Sequence, residues 1–155
     1  IDNKVQVINL SLSGPPDILL SRLIDVAVAK GIRIVAAYDD KLPQGGFPAS
    51  HAGVIAVSDK TLATLPSGVY SAPGKDIPTT EPGGRWFVVN GSSFSAAHVS
   101  GLLALISEQH PEQNVLPLVT AKTDGEIDAC ASLLRSSHRP DWACARSAGS
   151  RKAAQ

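Results

Sequence analysis

The segment Asn90-Gly91-Ser92-Ser93-Phe94-Ser95-Ala96-Ala97-His98-Val99-Ser100-Gly101 concentrates the residues able to do chemistry. It sets a serine just after a glycine, at the head of a run whose apolar spacing predicts a helix. A hydroxyl there is held by tight backbone geometry, and first-turn N–H groups favour negative charge developing nearby. Two readings of Ser92 and Ser93 stand side by side. One is an N-cap contributing about 1 kcal/mol; the other is a nucleophile. His98 follows Ser93 by five residues, about 500° of helical rotation and so roughly 140° around the axis. The two side chains therefore point to different sides, and His98 reads as a packed, hydrogen-bonded core histidine. The remaining histidines, His51, His110 and His138, lack the spacing of a metal-ligand set.

The elements that must position this segment alternate between strand and helix. Residues 5–12 (Val-Gln-Val-Ile-Asn-Leu-Ser-Leu) are rich in β-branched and apolar types, as in a strand covered on both faces of a parallel sheet. Ser13-Gly14-Pro15-Pro16 stops it. Asp17 opens a helix whose buried stripe is Leu20, Leu23, Ile24, Ala27 and Val28, and Lys30-Gly31 closes it. Residues 32–37 and 54–57 form further strands, and the first two strands should be parallel. Residues 61–85 are dense in Gly, Pro, Ser and Thr and read as loop with one short strand. Residues 86–89 look extended. The helix begins at Ser92-Ser93 and ends before His110-Pro111. It is apolar nearly all round, so it should be central and covered on all sides. Residues 112–119 suggest a short helix interrupted by Pro117, and 127–134 another turn or two.

The chain has 155 residues, with 14 basic and 14 acidic side chains. That length is enough for one α/β domain with a real core. Zero net charge argues against a general grip on nucleic acid. No apolar run approaches the roughly 20 residues that would cross a bilayer, so neither nucleic acid nor membrane is expected as a partner. Residues 1–129 hold 13 acids and 9 bases, whereas 130–155 hold 5 bases and 1 acid. The expected division is therefore a folded part over 1–134 and a basic Ser/Arg/Ala-rich tail over 135–155. Cys130 and Cys144 could form a disulfide, with about 3 kcal/mol of loop-closure benefit, or remain thiols in a reducing compartment.

The segment at 90–101 resembles the serine block of the subtilisin-like serine peptidases, the subtilases, whose form is N-G-T-S-M-A-x-P-H-V-x-G. Gly91, His98, Val99 and Gly101 match outright, Ser93 falls on the nucleophile, and Ser92, Phe94 and Ala97 replace Thr, Met and Pro. The resemblance runs in order through Val7-Ile8-Asn9-Leu10-Ser11-Leu12-Ser13-Gly14, residues 31–37, Phe47-Pro48-Ala49 with Val54-Ile55-Ala56-Val57, and Ser71-Ala72-Pro73-Gly74. It covers roughly residues 5–110.

What the resemblance implies is a three-layer α/β fold with a mostly parallel sheet, represented by its C-terminal portion. Ser93 would attack the scissile carbonyl. The family's Asp and His blocks do not occur here, so the resemblance implies that they lie upstream of Ile1, in an N-terminal part of the same catalytic domain. Ser11, Leu12, Ser13 and Gly14 would line one wall of the S1 pocket for a peptide or protein substrate, and Ala37, Tyr38 and Asp39 the other. Where the family reads Ala-Gly-Asn with an oxyanion-donating amide, this chain reads Tyr38-Asp39-Asp40. Asp40 then takes the donor place, as it does in a few active relatives. The bulk and charge of Ser13, Tyr38 and Asp39 imply either a narrowed or partly polar pocket or a loop that swings outward. The resemblance also implies export. It allows structural calcium, for which no acid-rich loop offers a place, and no other cofactor is expected. The alternative is a non-catalytic subtilase-like module that binds peptides or serves structure.

Overall fold

A computed structural model of the chain describes residues 3–59, 64–110 and 114–137. Strand β1 (Val7–Leu10) leads to helix α1 (Ile18–Ala29) and strand β2 (Arg33–Ala37). Strands β3 (Val54–Ser58) and β4 (Val69–Ser71) follow. Among the described residues these four strands form one parallel sheet in the order β1-β2-β3-β4, with Ile8 opposite Ile34 and Val35 opposite Ile55. Parallel strands need a crossover, and α1 supplies the first. Asp17 caps α1: its Oδ1 accepts the Leu20 N–H.

The apolar runs of β2 and β3 follow from burial on both faces. On one face Val35, Ala37, Ile55 and Val57 pack with helix α2 (Ser92–Gln109) through Ala96, Val99, Leu102, Leu103 and Ile106. On the other, Ile32 and Ile34 pack with Ile24 and Ala27 of α1 and with Phe47. Helix, sheet and helix make three layers. Helix α3 (Ala129–Ser136) packs beside α2, capped by Asp128, whose carboxylate accepts the Ala131 N–H at 2.9 Å.

Several expectations need correction. The described residues of 61–85 hold two strands, not one: besides β4, strand β5 (Ile77–Glu81) pairs antiparallel with β6 (Arg85–Val89). Gly83 and Gly84, both at positive φ, make the turn. Over 112–119 the described residues hold only a 3-10 turn, Leu116–Leu118. Leu23, expected in the buried stripe of α1, is exposed, as are Ile18, Leu19 and Val26. Helix α2 is covered by the described residues on one face only; Ala97, His98, Gly101, Ala104 and Leu105 face outward. The α3 helix reaches Ser136, two residues past the expected boundary at 134, and Cys144 and most of the basic tail lie outside the described residues. No helix among the described residues is long and apolar enough to cross a membrane.

Candidate functional site

Ser93 sits where the mouth of α2 meets the end of β1. Gly91, not Ser92 or Ser93, is the N-cap, with φ 135° and ψ 157° and no side chain to cap with. That corrects the N-cap reading of the two serines: both are inside the first turn. The N–H groups of Ser92 and Ser93 have no acceptor among the described residues. A helix start with no capping acceptor among the described residues is a ready donor site for a developing anion.

Gly91 is fixed from the sheet side. Its N–H donates to Gly74 O at 2.7 Å, the Asp76 N–H donates to Asn90 Oδ1 at 2.8 Å, and the buried Ser95 hydroxyl donates to Ala72 O at 3.0 Å. Gly74 has to be a glycine: a Cβ there would collide with Ser95 Oγ and come to 2.9 Å from the Gly91 carbonyl oxygen.

The structure brings Ser93 and Ser11 together. Ser93 Oγ donates to Ser11 O at 3.2 Å, and Ser11 Oγ donates to Ser93 O at 2.8 Å. Two residues not singled out from the sequence extend this contact. Asn9 Nδ2 donates to Ser11 Oγ at 2.8 Å, and Ser100 Oγ lies 3.2 Å from Asn9 Oδ1. Periodicity could have found them: Ser100 is seven residues after Ser93 on the same helical face, and Asn9 and Ser11 share one side of a strand.

Ser13 and Asp39 also meet, Ser13 Oγ donating to Asp39 Oδ2 at 3.3 Å. Gly14 and Phe47 exchange backbone hydrogen bonds of 2.8 and 2.9 Å, which draws the loop after β2 against the end of β1. Tyr38 turns into that loop, its ring over Gly45 at a place where any Cβ would overlap it. Ala37 is buried at the end of β2. Asp40 is exposed, and its carboxylate has no hydrogen bond among the described residues. Leu12, Ser13 and Gly14 also edge an apolar cleft of about 410 Å³ that continues along Leu19, Leu20 and Leu23.

His98 stands apart from Ser93, in agreement with the helical angle, but it is not a core residue. It is exposed, and its Nδ1 lies 2.9 Å from Pro73 O, a distance that makes Nδ1 the protonated nitrogen. His51 also lies elsewhere, between Ser21 (3.0 Å), Asp25 (3.5 Å) and the Ala52 carbonyl (2.8 Å). No group of three or more His, Cys, Asp or Glu among the described residues could hold a metal ion. The shifted proton affinities lie away from the site. Burial lowers the pKa of Arg33, and the hydrogen bond and charge of Glu126 raise that of Lys122.

The profile of the subtilase family matches residues 1–127. Subtilisin of Bacillus pumilus is 33% identical over 151 residues, covering 88% of this chain and 53% of that protein. Subtilisin E of Bacillus subtilis is 35% identical over 125 residues, covering 72% of this chain and 33% of that protein. The intracellular serine protease of Paenibacillus polymyxa is 33% identical over 123 residues, with 70% and 38% covered. The chain thus spans about half the length of these relatives or less. Family membership does not carry export with it, because a relative named as intracellular is as similar as the subtilisins. The prenylagaramide maturation protease PagA superposes with a TM-score of 0.69 at 22% identity, over 88% of this chain and 63% of that one. A variant of the PatA protease domain gives 0.68 at 20%, over 86% and 61%. Those two establish the α/β fold, and with the profile match and the identities to serine proteases they lead to one conclusion: the chain belongs to the subtilase family.

Proposed function

We propose that this chain is the C-terminal part of the catalytic domain of a subtilisin-like serine endopeptidase, with Ser93 as nucleophile. The observation that carries the proposal is the Ser93 hydroxyl at an uncapped helix mouth, half-buried and in contact with the end of β1. The Ser93 hydroxyl attacks the scissile carbonyl, and a histidine upstream of Ile1, oriented by an upstream aspartate, takes the proton. An acyl-enzyme then forms and is hydrolysed. The Ser93 hydroxyl donates to the Ser11 carbonyl, a hydrogen bond it gives up when the base takes its proton. The Ser93 N–H is one oxyanion donor. Asp40 holds the second donor place and can donate only when protonated. Ser11, Leu12, Ser13 and Gly14 on one side and Ala37, Tyr38 and Asp39 on the other receive the side chain before the scissile bond. Hydroxyl, base and amide donors suffice for this chemistry, so no metal or cofactor is assigned a part in it. The partners are the N-terminal part of the domain and a peptide or protein substrate.

A serine-directed fluorophosphonate tests this reading. The complete protein should be labelled at Ser93, and Ser93→Ala should abolish labelling. Absence of labelling in a folded protein favours the second reading, a non-catalytic subtilase module that holds peptides. That reading is supported by the exposed carboxylate of Asp40 at the donor place.

A further inference from the structure

Strand β1 meets α2 through a chain of hydrogen bonds that ends on Ser93. Val7, Asn9 and Ser11 alternate onto one side of the strand. Val7 packs into the cluster around α2, whereas Ile8 and Leu10 turn to the side of α1. Asn9 Nδ2 donates to Ser11 Oγ at 2.8 Å, and Ser11 Oγ donates to Ser93 O at 2.8 Å. The other end of the amide is held as well: Asn9 Oδ1 lies 3.2 Å from Ser100 Oγ, about two turns further along α2.

A serine hydroxyl has one proton and two lone pairs, and an amide nitrogen only donates. Asn9 therefore fills a lone pair of Ser11 Oγ and leaves its proton for Ser93 O. The direction of that bond is set by Asn9, which makes no hydrogen bond to Ser93 itself among the described residues. Two bonds join the serines, one from each hydroxyl. The bond from Ser93 Oγ is given up when the base takes its proton, and the bond from Ser11 Oγ remains to hold Ser93 during attack. A nucleophile misplaced by about 1 Å can lose on the order of a hundredfold in rate. We propose that Asn9 is a positioning residue for the nucleophile, holding the backbone of Ser93 through the Ser11 hydroxyl while the Ser93 hydroxyl reacts. The proposal rests on the peptidase reading of Ser93.

The test follows labelling of the complete protein by a fluorophosphonate against probe concentration, which separates the limiting rate from the half-saturating concentration. Asn9→Asp keeps the shape of the side chain but puts an acceptor where the donor was, so the Ser11 proton turns from Ser93 O to the carboxylate. The limiting rate should fall about tenfold, as loss of one oriented hydrogen bond would give, with the half-saturating concentration unchanged. Ser11→Ala should cause a similar fall, and Asn9→Asp added to it should cause no further one. That coupling separates positioning from a merely structural role, because lost packing or an added charge acts with or without the Ser11 hydroxyl. If Asn9→Asp fails to fold, Asn9→Ala reads the same coupling: its loss of rate must vanish beside Ser11→Ala. An unchanged rate in the Asn9 variants, a fall that persists in full beside Ser11→Ala, or a change confined to the half-saturating concentration overturns the proposal and leaves the peptidase reading standing. Absence of labelling in the folded, unmodified protein removes both.

Discussion

At the scale of single residues, the site depends on backbone geometry as much as on functional groups. Gly91 holds φ 135° and ψ 157°, a region open in practice only to glycine. Nothing stands within 4 Å of where its Cβ would be, so substitution meets conformational strain and no collision. Gly91→Ala should therefore cost about 1–3 kcal/mol, read as a lower urea midpoint in the complete protein, and should shift the mouth of α2. An unchanged midpoint would show that the helix starts without this conformation. Asp40 is the residue at which chemistry and resemblance pull apart. A missing oxyanion donor costs about 2.7–4 kcal/mol of transition-state stabilisation, and an ionised carboxylate opposes the charge that develops. Asp40→Asn should preserve or raise kcat/KM at neutral pH. A loss of turnover in a folded variant would give the carboxylate a task of its own. The motif made Ser93 legible in the sequence. The cap at Gly91 and the contact with Ser11 were not, because both depend on how two distant segments approach.

At the scale of elements, α2 does two tasks. Its start presents Ser93, and its middle anchors that start to the sheet through Leu103 and Ile106, both at 0% exposure. Leu103→Ala should cost about 2–5 kcal/mol, visible as a lower unfolding midpoint with little change in substrate affinity near the unperturbed temperature. Gly74→Ala belongs to a different class. The added methyl meets Ser95 Oγ and the Gly91 carbonyl, so it should displace the segment leading to Ser93. Fluorophosphonate labelling should fall in Gly74→Ala far more than in Leu103→Ala at matched folded fraction; equal labelling would mean that the loop after β4 does not position Ser93. Helix α2 itself was legible to within about a residue at each end, since a glycine and polar start, an apolar run and His110-Pro111 mark both ends locally. The extended reading of residues 86–89 matches β6, but β5 and its pairing with β6 were missed because Pro and Gly density hides a pairing made across a turn, and β5 alternates half-buried and exposed side chains that carry little apolar signal.

At the scale of the molecule, the described residues leave large apolar surfaces uncovered. Ile18 and Leu19 of α1 are 77% and 69% exposed, Trp86 of the hairpin 76%, and the outward face of α2 carries Leu105. Strand β1 pairs only with β2 among the described residues, so its other edge is open. Surfaces of this kind mark interaction or aggregation sites. Residues 1–155 expressed alone should therefore bind a hydrophobic dye and unfold without a sharp transition. A cooperative transition with dispersed NMR signals would show that the chain covers itself.

What the sequence by itself determined is whatever local rules encode: the strand and helix periods, the cap at Asp17, the length of α2, and a block of residues around Ser93 specific enough to name a family. Only the tertiary structure decided what sits against what. It placed Ser11 on Ser93 and Asp39 on Ser13, turned Tyr38 onto Gly45, and put His98 at the surface instead of in the core. The physical reason is that periodicity fixes which way a side chain points from its own element, whereas the partner it meets depends on the register and approach of segments tens of residues away.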